Sequence, residues 1–110
     1  GIAVSSGNSF VHETESQVIL NGSYNINFTM DLVLKDTGLF DDLAKKLGAP
    51  LEISPKVVEI FKDGQKKYGS RAWSSMIVKR MEDLNNIDFR ASGFPEELTD
   101  NEPEEKGYEI

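Results

Sequence analysis

The sequence contains no cysteine and only one histidine, His12, among its 110 residues. Without cysteine the chain cannot form disulfides, thiolate metal sites or a thiol nucleophile. His12 lies close to Glu13 and Glu15, and a lone histidine without a second nitrogen or sulfur ligand is more often a surface residue than a metal ligand or general base. We therefore predict that this chain holds no metal.

Long apolar runs are also missing. No stretch of about 18 consecutive apolar residues is present, as a membrane-spanning helix would require. The first ten residues lack the charged and apolar blocks of a secretory signal. These observations predict a cytoplasmic protein without a membrane partner.

Basic residues are outnumbered, with 12 Lys and Arg against 19 Asp and Glu and a net charge of −7. This balance argues against a nucleic-acid partner, because phosphate binding needs clustered cations. Most of the excess lies after residue 86, where eight acids accompany Arg90 and Lys106. We predict a helical domain over residues 1–86 and an irregular acidic tail over 87–110. Two tail side chains are candidates for docking on the helices: Phe89 and Phe94.

The longest periodic segment, residues 25–48, predicts a helix capped by Asn25 or Asn27 and ended by Gly48. At about 100° per residue, six apolar side chains fall within roughly 60° of one direction. They are Leu32, Val33, Leu39, Phe40, Leu43 and Leu47. We expect this stripe to pack against another surface. Gly38 interrupts the helix and indicates the close approach of a neighbouring backbone or of a ligand.

Asp36 lies at the centre of the apolar stripe. A carboxylate there is costly to bury unless it is paired, hydrogen-bonded or open to a wet cleft, so both a structural ion pair and a cleft residue remain possible. Lys35 is expected to point to another side of the helix, where a solvated surface lysine is the simplest interpretation. Two acid-before-base pairs are predicted on that side: Asp31 with Lys35 and Asp42 with Lys46.

Further helices are predicted on both sides of this segment. Ser9 can cap a helix that ends near Gly22, although residues 17–20 could equally be a short strand. Ser54 and Pro55 open a helix in the favoured way, with serine as cap. The last predicted helix runs over residues 70–84 and carries Trp73, which is more typical of a core anchor than of a substrate wall. The sequence thus predicts an all-α bundle of three to four helices.

Residues 27–54, NFTMDLVLKDTGLFDDLAKKLGAPLEIS, resemble part of the helical C-terminal domain of β-hydroxyacid dehydrogenases, the family of 3-hydroxyisobutyrate dehydrogenase. In that family a phenylalanine, here Phe28, precedes a Lys-Asp pair, here Lys35 and Asp36, on a long helix. An Ala-x-x-x-Gly-x-Pro ending follows, in shifted form from Ala44 to Pro50. The similarity covers about residues 20–70, and it implies a domain like the C-terminal domain of 6-phosphogluconate dehydrogenase.

The resemblance implies an NAD(P)-dependent oxidation of a small hydroxy acid. Lys35 would contact the cofactor, and Phe28 and Asp36 would lie on the substrate side. The family's catalytic lysine and its glycine-rich phosphate loop precede the matched region, so no residue of this chain is expected to be catalytic. NAD or NADP would be bound mainly by an N-terminal domain outside these residues. This chain would be an inactive fragment that supplies one cleft wall and the interface of a homodimer.

The chain departs from the family pattern at GSRAWSSM, where relatives often have glycine, a short spacer and Asp-x-Ser. Trp73 stands where that aspartate would be.

An alternative function is a free-standing helical interaction module whose acidic tail binds a basic partner.

Overall fold

A computed structural model describes residues 1–99, 101–104 and 106–108. Within these residues it contains four α-helices: α1 (Phe10–Asn21), α2 (Met30–Leu47), α3 (Ser54–Tyr68) and α4 (Lys79–Asn85). Two short 3-10 helices span Ile2–Val4 and Ser74–Val78. The predicted small all-α bundle is confirmed. Three acids that the sequence analysis assigns to the tail lie outside the described residues: Asp100, Glu105 and Glu109.

Helix α1 begins and ends where the sequence predicts. Ser9 has extended backbone, and its hydroxyl accepts a hydrogen bond from the His12 amide at 3.0 Å. Gly22 ends the helix with φ of 93°, a left-handed conformation that glycine adopts without steric cost. Residues 17–20 therefore belong to a helix and not to a strand.

Helix α2 begins later than predicted, and neither Asn25 nor Asn27 caps it. Asn27 has a φ of 55°, which is incompatible with a right-handed helix. Thr29 instead precedes the first turn and forms an isolated antiparallel bridge with Trp73. The Met30 amide donates to the Ala72 carbonyl at 2.9 Å. This long-range pairing satisfies amides at the helix start that a capping side chain would otherwise serve.

The helix predicted over residues 70–84 is broken. Residues 70–74 pair with residues 28–31 at the start of α2, and the chain forms the 3-10 helix before the short helix α4. Ser75 is fully buried, and its hydroxyl donates to the Tyr24 carbonyl at 2.6 Å. This bond stabilises the local turn instead of an α-helix. Asn86, near the predicted stop, ends α4 in the left-handed conformation.

Helix α3 forms as predicted, except that Ser54 is its first residue and not its cap. The Ser54 hydroxyl donates to the Asp41 carboxylate at 2.6 Å. This bond ties the start of α3 to the middle of α2 across the intervening loop. Asp41 thereby contributes to the contact between the two helices.

The buried core is small. Val18, Met30 and Ala44 are its buried aliphatic residues in the described chain, and Met30 packs against Gly64 of α3. The accessible surface is 8502 Å², whereas a compact protein of 12.3 kDa exposes about 6,100 Å². Part of the excess belongs to the extended segment after α4, and part to apolar helix surface that the described chain does not cover.

Polar side-chain contacts join α3 to α4. Arg80 contacts Asp63 at 2.6 Å, and this hydrogen bond lowers the pKa of Asp63. The Tyr68 hydroxyl donates to Asp83 at 2.6 Å. Burial, followed by this bond, raises the pKa of Tyr68 to about 12. The two carboxylates are therefore charged partners of the bundle at neutral pH.

Two glycines within helices are expected to respond oppositely to substitution. A Cβ at Gly64 would lie 2.8 Å from Ile77 Cδ1 and 3.1 Å from Met30 Sδ, whereas at Gly38 it would meet nothing within 4 Å in the described chain. Gly64→Val should lower the free energy of unfolding by about 1–3 kcal/mol through overpacking. Gly38→Ala should raise it by about 0.5–1 kcal/mol. Urea titration followed by circular dichroism measures both, and equal stabilities would contradict this packing.

Candidate functional site

Lys35 and Asp36 lie in the first half of α2 and face solvent. Their side chains are 60% and 57% exposed, and Lys35 Nζ lies 3.2 Å from Asp36 Oδ1. The expectation that Lys35 points away from Asp36 is therefore wrong. Because the pair is exposed, the ion pair contributes little to stability. Both charges are accessible to a ligand.

The apolar stripe around Asp36 is also directed outward. We define the outer α2 face as Leu39, Phe40, Leu43 and Leu47, whose exposed fractions are 63%, 55%, 54% and 72%. The surface that we expect to pack against this stripe is therefore not supplied at these four positions by the described chain. Asp36 lies among these residues, so no burial cost requires it to have an internal partner.

The side of α2 that packs on α3 is different from the outer α2 face. It includes Met30 and Ala44, which are buried, and Asp41, which accepts the hydrogen bond from Ser54. On a helical wheel the two faces point about 120° apart. The helix therefore has one side for this bundle and a second, more apolar side that the described chain leaves open.

Phe28 does not share a helix face with Lys35, because it lies before the first turn of α2. Its carbonyl accepts the Ser74 amide at 2.7 Å, and its ring is 37% exposed. The ring lines a groove of about 450 Å³ between α1, α3 and the 3-10 helix. Lys35 and Asp36 do not line this groove. The structure thus separates the phenylalanine from the charged pair.

His12 and Glu15 line the same groove from α1. Burial raises the pKa of Glu15.

Within the described residues, no group of three or more His, Asp and Glu side chains is placed to bind a metal. In the same part of the chain, no helix is long and apolar enough to cross a bilayer.

Asp31 is held by partners other than the predicted Lys35. It pairs with Arg71 at 3.2 Å and accepts a short hydrogen bond from the Thr29 hydroxyl. The Thr29 bond, followed by Arg71, lowers the pKa of Asp31. These contacts join the start of α2 to residues 70–73. Lys35 is left to pair with its neighbour.

Trp73 is half-buried and lines a cleft of about 380 Å³. One wall of the cleft comes from residues 25–27, and the other comes from Glu97 and Leu98 of the C-terminal segment. Trp73 is therefore a cleft wall and not one of the fully buried core residues. We refer to this space as the Trp73 cleft.

Sequence reasoning missed a buried polar cluster formed by Tyr24, Glu82 and Arg90. Glu82 is 1% exposed, and the Tyr24 hydroxyl lies 2.8 Å from each of its carboxylate oxygens. Arg90 Nη1 lies 3.1 Å from Glu82 Oε1, and the guanidinium lies 5.2 Å from the centre of the Tyr24 ring. Burial, then Glu82, raises the pKa of Tyr24. Arg90, one of two bases after residue 86, is the only hint in the sequence.

If a nicotinamide dinucleotide binds here, the described residues would supply one charged contact, from Lys35. Its exposed ammonium would meet a phosphate or ribose oxygen. The first amides of α2 do not form a phosphate site, because Met30 and Asp31 donate to the Ala72 and Ser70 carbonyls. Most of such a cofactor would have to be bound by other residues.

These features define a helical domain that presents a charged pair on an open apolar face, which is typical of a domain completed by a second surface. Residues 1–81 match the family model described as NAD-binding of NADP-dependent 3-hydroxyisobutyrate dehydrogenase. The chain therefore belongs to this β-hydroxyacid dehydrogenase family. No curated protein and no solved structure gives a significant match.

Removing the charged pair should leave the isolated chain stable. Lys35→Ala and Asp36→Ala should each change the free energy of unfolding by less than about 0.5 kcal/mol, because both side chains are exposed and their ion pair is weak. Glu82→Ala is the contrasting variant and should cost several times more. Thermal unfolding at neutral pH provides the comparison. A loss above about 2 kcal/mol for Asp36→Ala would show a structural role instead.

Proposed function

We propose that this chain forms one wall of the substrate and cofactor cleft of an NAD(P)-dependent hydroxyacid dehydrogenase. The supporting observation is the Lys35–Asp36 pair, which is exposed on α2 within an open apolar face. Surface pairs of this kind contribute little to the fold, so both side chains are available to a ligand at little cost in stability. The family supplies the reaction class.

In this proposal Lys35 contacts the cofactor, and Asp36 contributes to the substrate side while it orients the Lys35 ammonium. The nicotinamide supplies hydride chemistry when the cofactor is bound. Phe28 contributes an apolar wall on the groove side of the segment that leads into α2. A catalytic lysine and the phosphate-binding loop would come from chain outside these 110 residues.

The activity of the whole enzyme tests this assignment. The isolated chain should not oxidise hydroxy acids, whereas a longer gene product with an upstream dinucleotide-binding domain should oxidise small 3-hydroxy acids. In that product Lys35→Met should raise the KM for the cofactor by about tenfold, because one charge-assisted hydrogen bond is lost. Kinetics with NAD and NADP separately measure this change and the cofactor preference.

Lys66→Met in α3 is the matched control, because it removes an exposed lysine from another helix. Its kinetics should equal those of the parent enzyme. Unchanged cofactor KM in Lys35→Met would remove Lys35 from the cofactor site. Turnover by the isolated 110 residues would contradict the proposed division of labour.

We assign the C-terminal half of the outer α2 face to contact with a second copy of the domain. Phe40 also lines a shallow groove of about 650 Å³ with Leu51, Ile53 and Val57. This groove extends the apolar surface beyond the helix. The surface excess of the molecule is large compared with the roughly 800 Å² that each partner buries in a standard interface.

Substitution at the centre of this face should weaken self-association. Leu43→Glu places a charge on the apolar face and should raise the dimer dissociation constant by at least about tenfold. Lys66→Gln changes the net charge equally on α3 and should leave association unchanged. Sedimentation equilibrium over a concentration series distinguishes them. A parent chain that stays monomeric throughout would contradict the interface.

The alternative, a helical interaction module that binds a basic partner, has one observation in its favour. The segment after α4 docks through main-chain carbonyls of Phe94 and Glu96, and the side chains of Glu96 and Glu97 are exposed. Binding of a polylysine peptide that disappears with Glu96→Gln and Glu97→Gln would favour this module. Its failure would leave the dehydrogenase assignment unaffected.

A further inference from the structure

We propose that residues 90–98, which we call the C-terminal strap, form a lid over the Trp73 cleft and that Arg90 is its latch. Glu82 and Arg90 both lie beyond residues 1–81, where the family match ends. The lid would open and close within this domain. This proposal does not depend on which reaction the whole protein catalyses.

The latch ties the start of the strap to a buried carboxylate, since the Arg90 side chain is 35% exposed and that of Glu82 is 0% exposed. Arg90 reaches back from the strap to Glu82 on α4 and to the Tyr24 hydroxyl, which lies 2.8 Å from Arg90 Nη2. Glu82 has almost no solvent contact, so it depends on these two partners for its hydrogen bonds. Withdrawal of Arg90 would leave a buried carboxylate with only the tyrosine, which is strongly unfavourable. The latch therefore favours the closed strap.

The rest of the strap is held by weaker contacts. The Ala91 amide donates to the Leu20 carbonyl at 3.0 Å, and Asn21 donates to the Phe94 carbonyl at 2.9 Å. Ser23 donates to the Glu96 carbonyl at 2.6 Å. The two side-chain bonds are exposed, and exposed hydrogen bonds exchange readily with water. Because Glu82 is the fully buried partner among these contacts, the strap should open as one unit when Arg90 leaves it.

The far end of the strap closes the Trp73 cleft. Glu97 and Leu98 form one wall, opposite Trp73 and residues 25–27. Leu98 is half-buried, whereas its neighbours Glu97 and Thr99 are exposed. Opening of the strap would expose the indole and remove the contacts of Ser23 and Asn25 with the strap. The latch thus controls access to the cleft.

Trp73 is the only tryptophan, so its fluorescence reports directly on the lid. Arg90→Met and Glu82→Gln should each raise the acrylamide quenching constant of Trp73 by at least about twofold, because both variants weaken the latch. Hydrogen exchange of the Ala91 amide should accelerate at least about tenfold in Arg90→Met. Lys106→Met also removes one positive charge from the chain beyond α4. It should change neither the Trp73 quenching constant nor the exchange rate of the Ala91 amide.

A chain that ends at Ala91 keeps Arg90 on Glu82 and lacks the Glu97–Leu98 wall, so the lid proposal stays testable if Arg90→Met fails to fold. Its helical circular dichroism should match that of the parent, and its Trp73 quenching should equal that of the unlatched variant. Unchanged quenching in the shortened chain would overturn the lid. Unchanged quenching and Ala91 exchange in both latch variants would overturn the role of Arg90.

Discussion

The arrangement of this domain depends on the pairing of residues 28–31 with residues 70–74. The bridge between Thr29 and Trp73 and the bonds on either side of it bring two distant segments together. This pairing sets the first residue of α2, leaves Phe28 outside the helix and interrupts the helix predicted after residue 70. Because Met30 follows the bridge directly, the same pairing positions the largest buried apolar side chain against Gly64. Pairing of the main chain therefore determines both the helix boundaries and the core.

The second constraint is the division of α2 into two faces of different character. Its inner side contains the buried Ala44 and the hydrogen bond from Ser54 to Asp41. Its outer side carries large apolar residues that remain exposed. A domain that directs its more apolar side outward gains little hydrophobic stabilisation by itself. That stabilisation is recovered when another surface covers the outer α2 face. The open face and the exposed charged pair at its edge are thus consistent with one role, contact with protein and ligand outside this domain.

The domain contains exposed and buried ion pairs, and the two kinds have different consequences for the fold. Lys35 and Asp36 are solvated, so they are available to a ligand at little cost to the fold. Glu82 is buried and must keep its partners, so its interaction with Arg90 holds the chain beyond α4 on the helices. An ion pair between a basic and an acidic side chain therefore leaves both charges accessible at one place and attaches the chain at the other. Burial is what distinguishes them.

The sequence by itself determined the helix content, the boundaries marked by Ser9, Gly22 and Gly48, and the family, because periodicity, capping and glycine chemistry act within a few residues. The roles of Lys35, Asp36 and Phe28 and the division at residue 86 stay predictions. The tertiary structure alone decided where α2 starts, which of its faces is covered and how Glu82 is neutralised. These depend on contacts between separate segments of the chain, and some of the partners, such as Thr29 with Trp73 or Tyr24 with Glu82, lie 40 or more residues apart. Local patterns carry no information about such partners, since helical periodicity identifies an apolar face but not the surface that covers it.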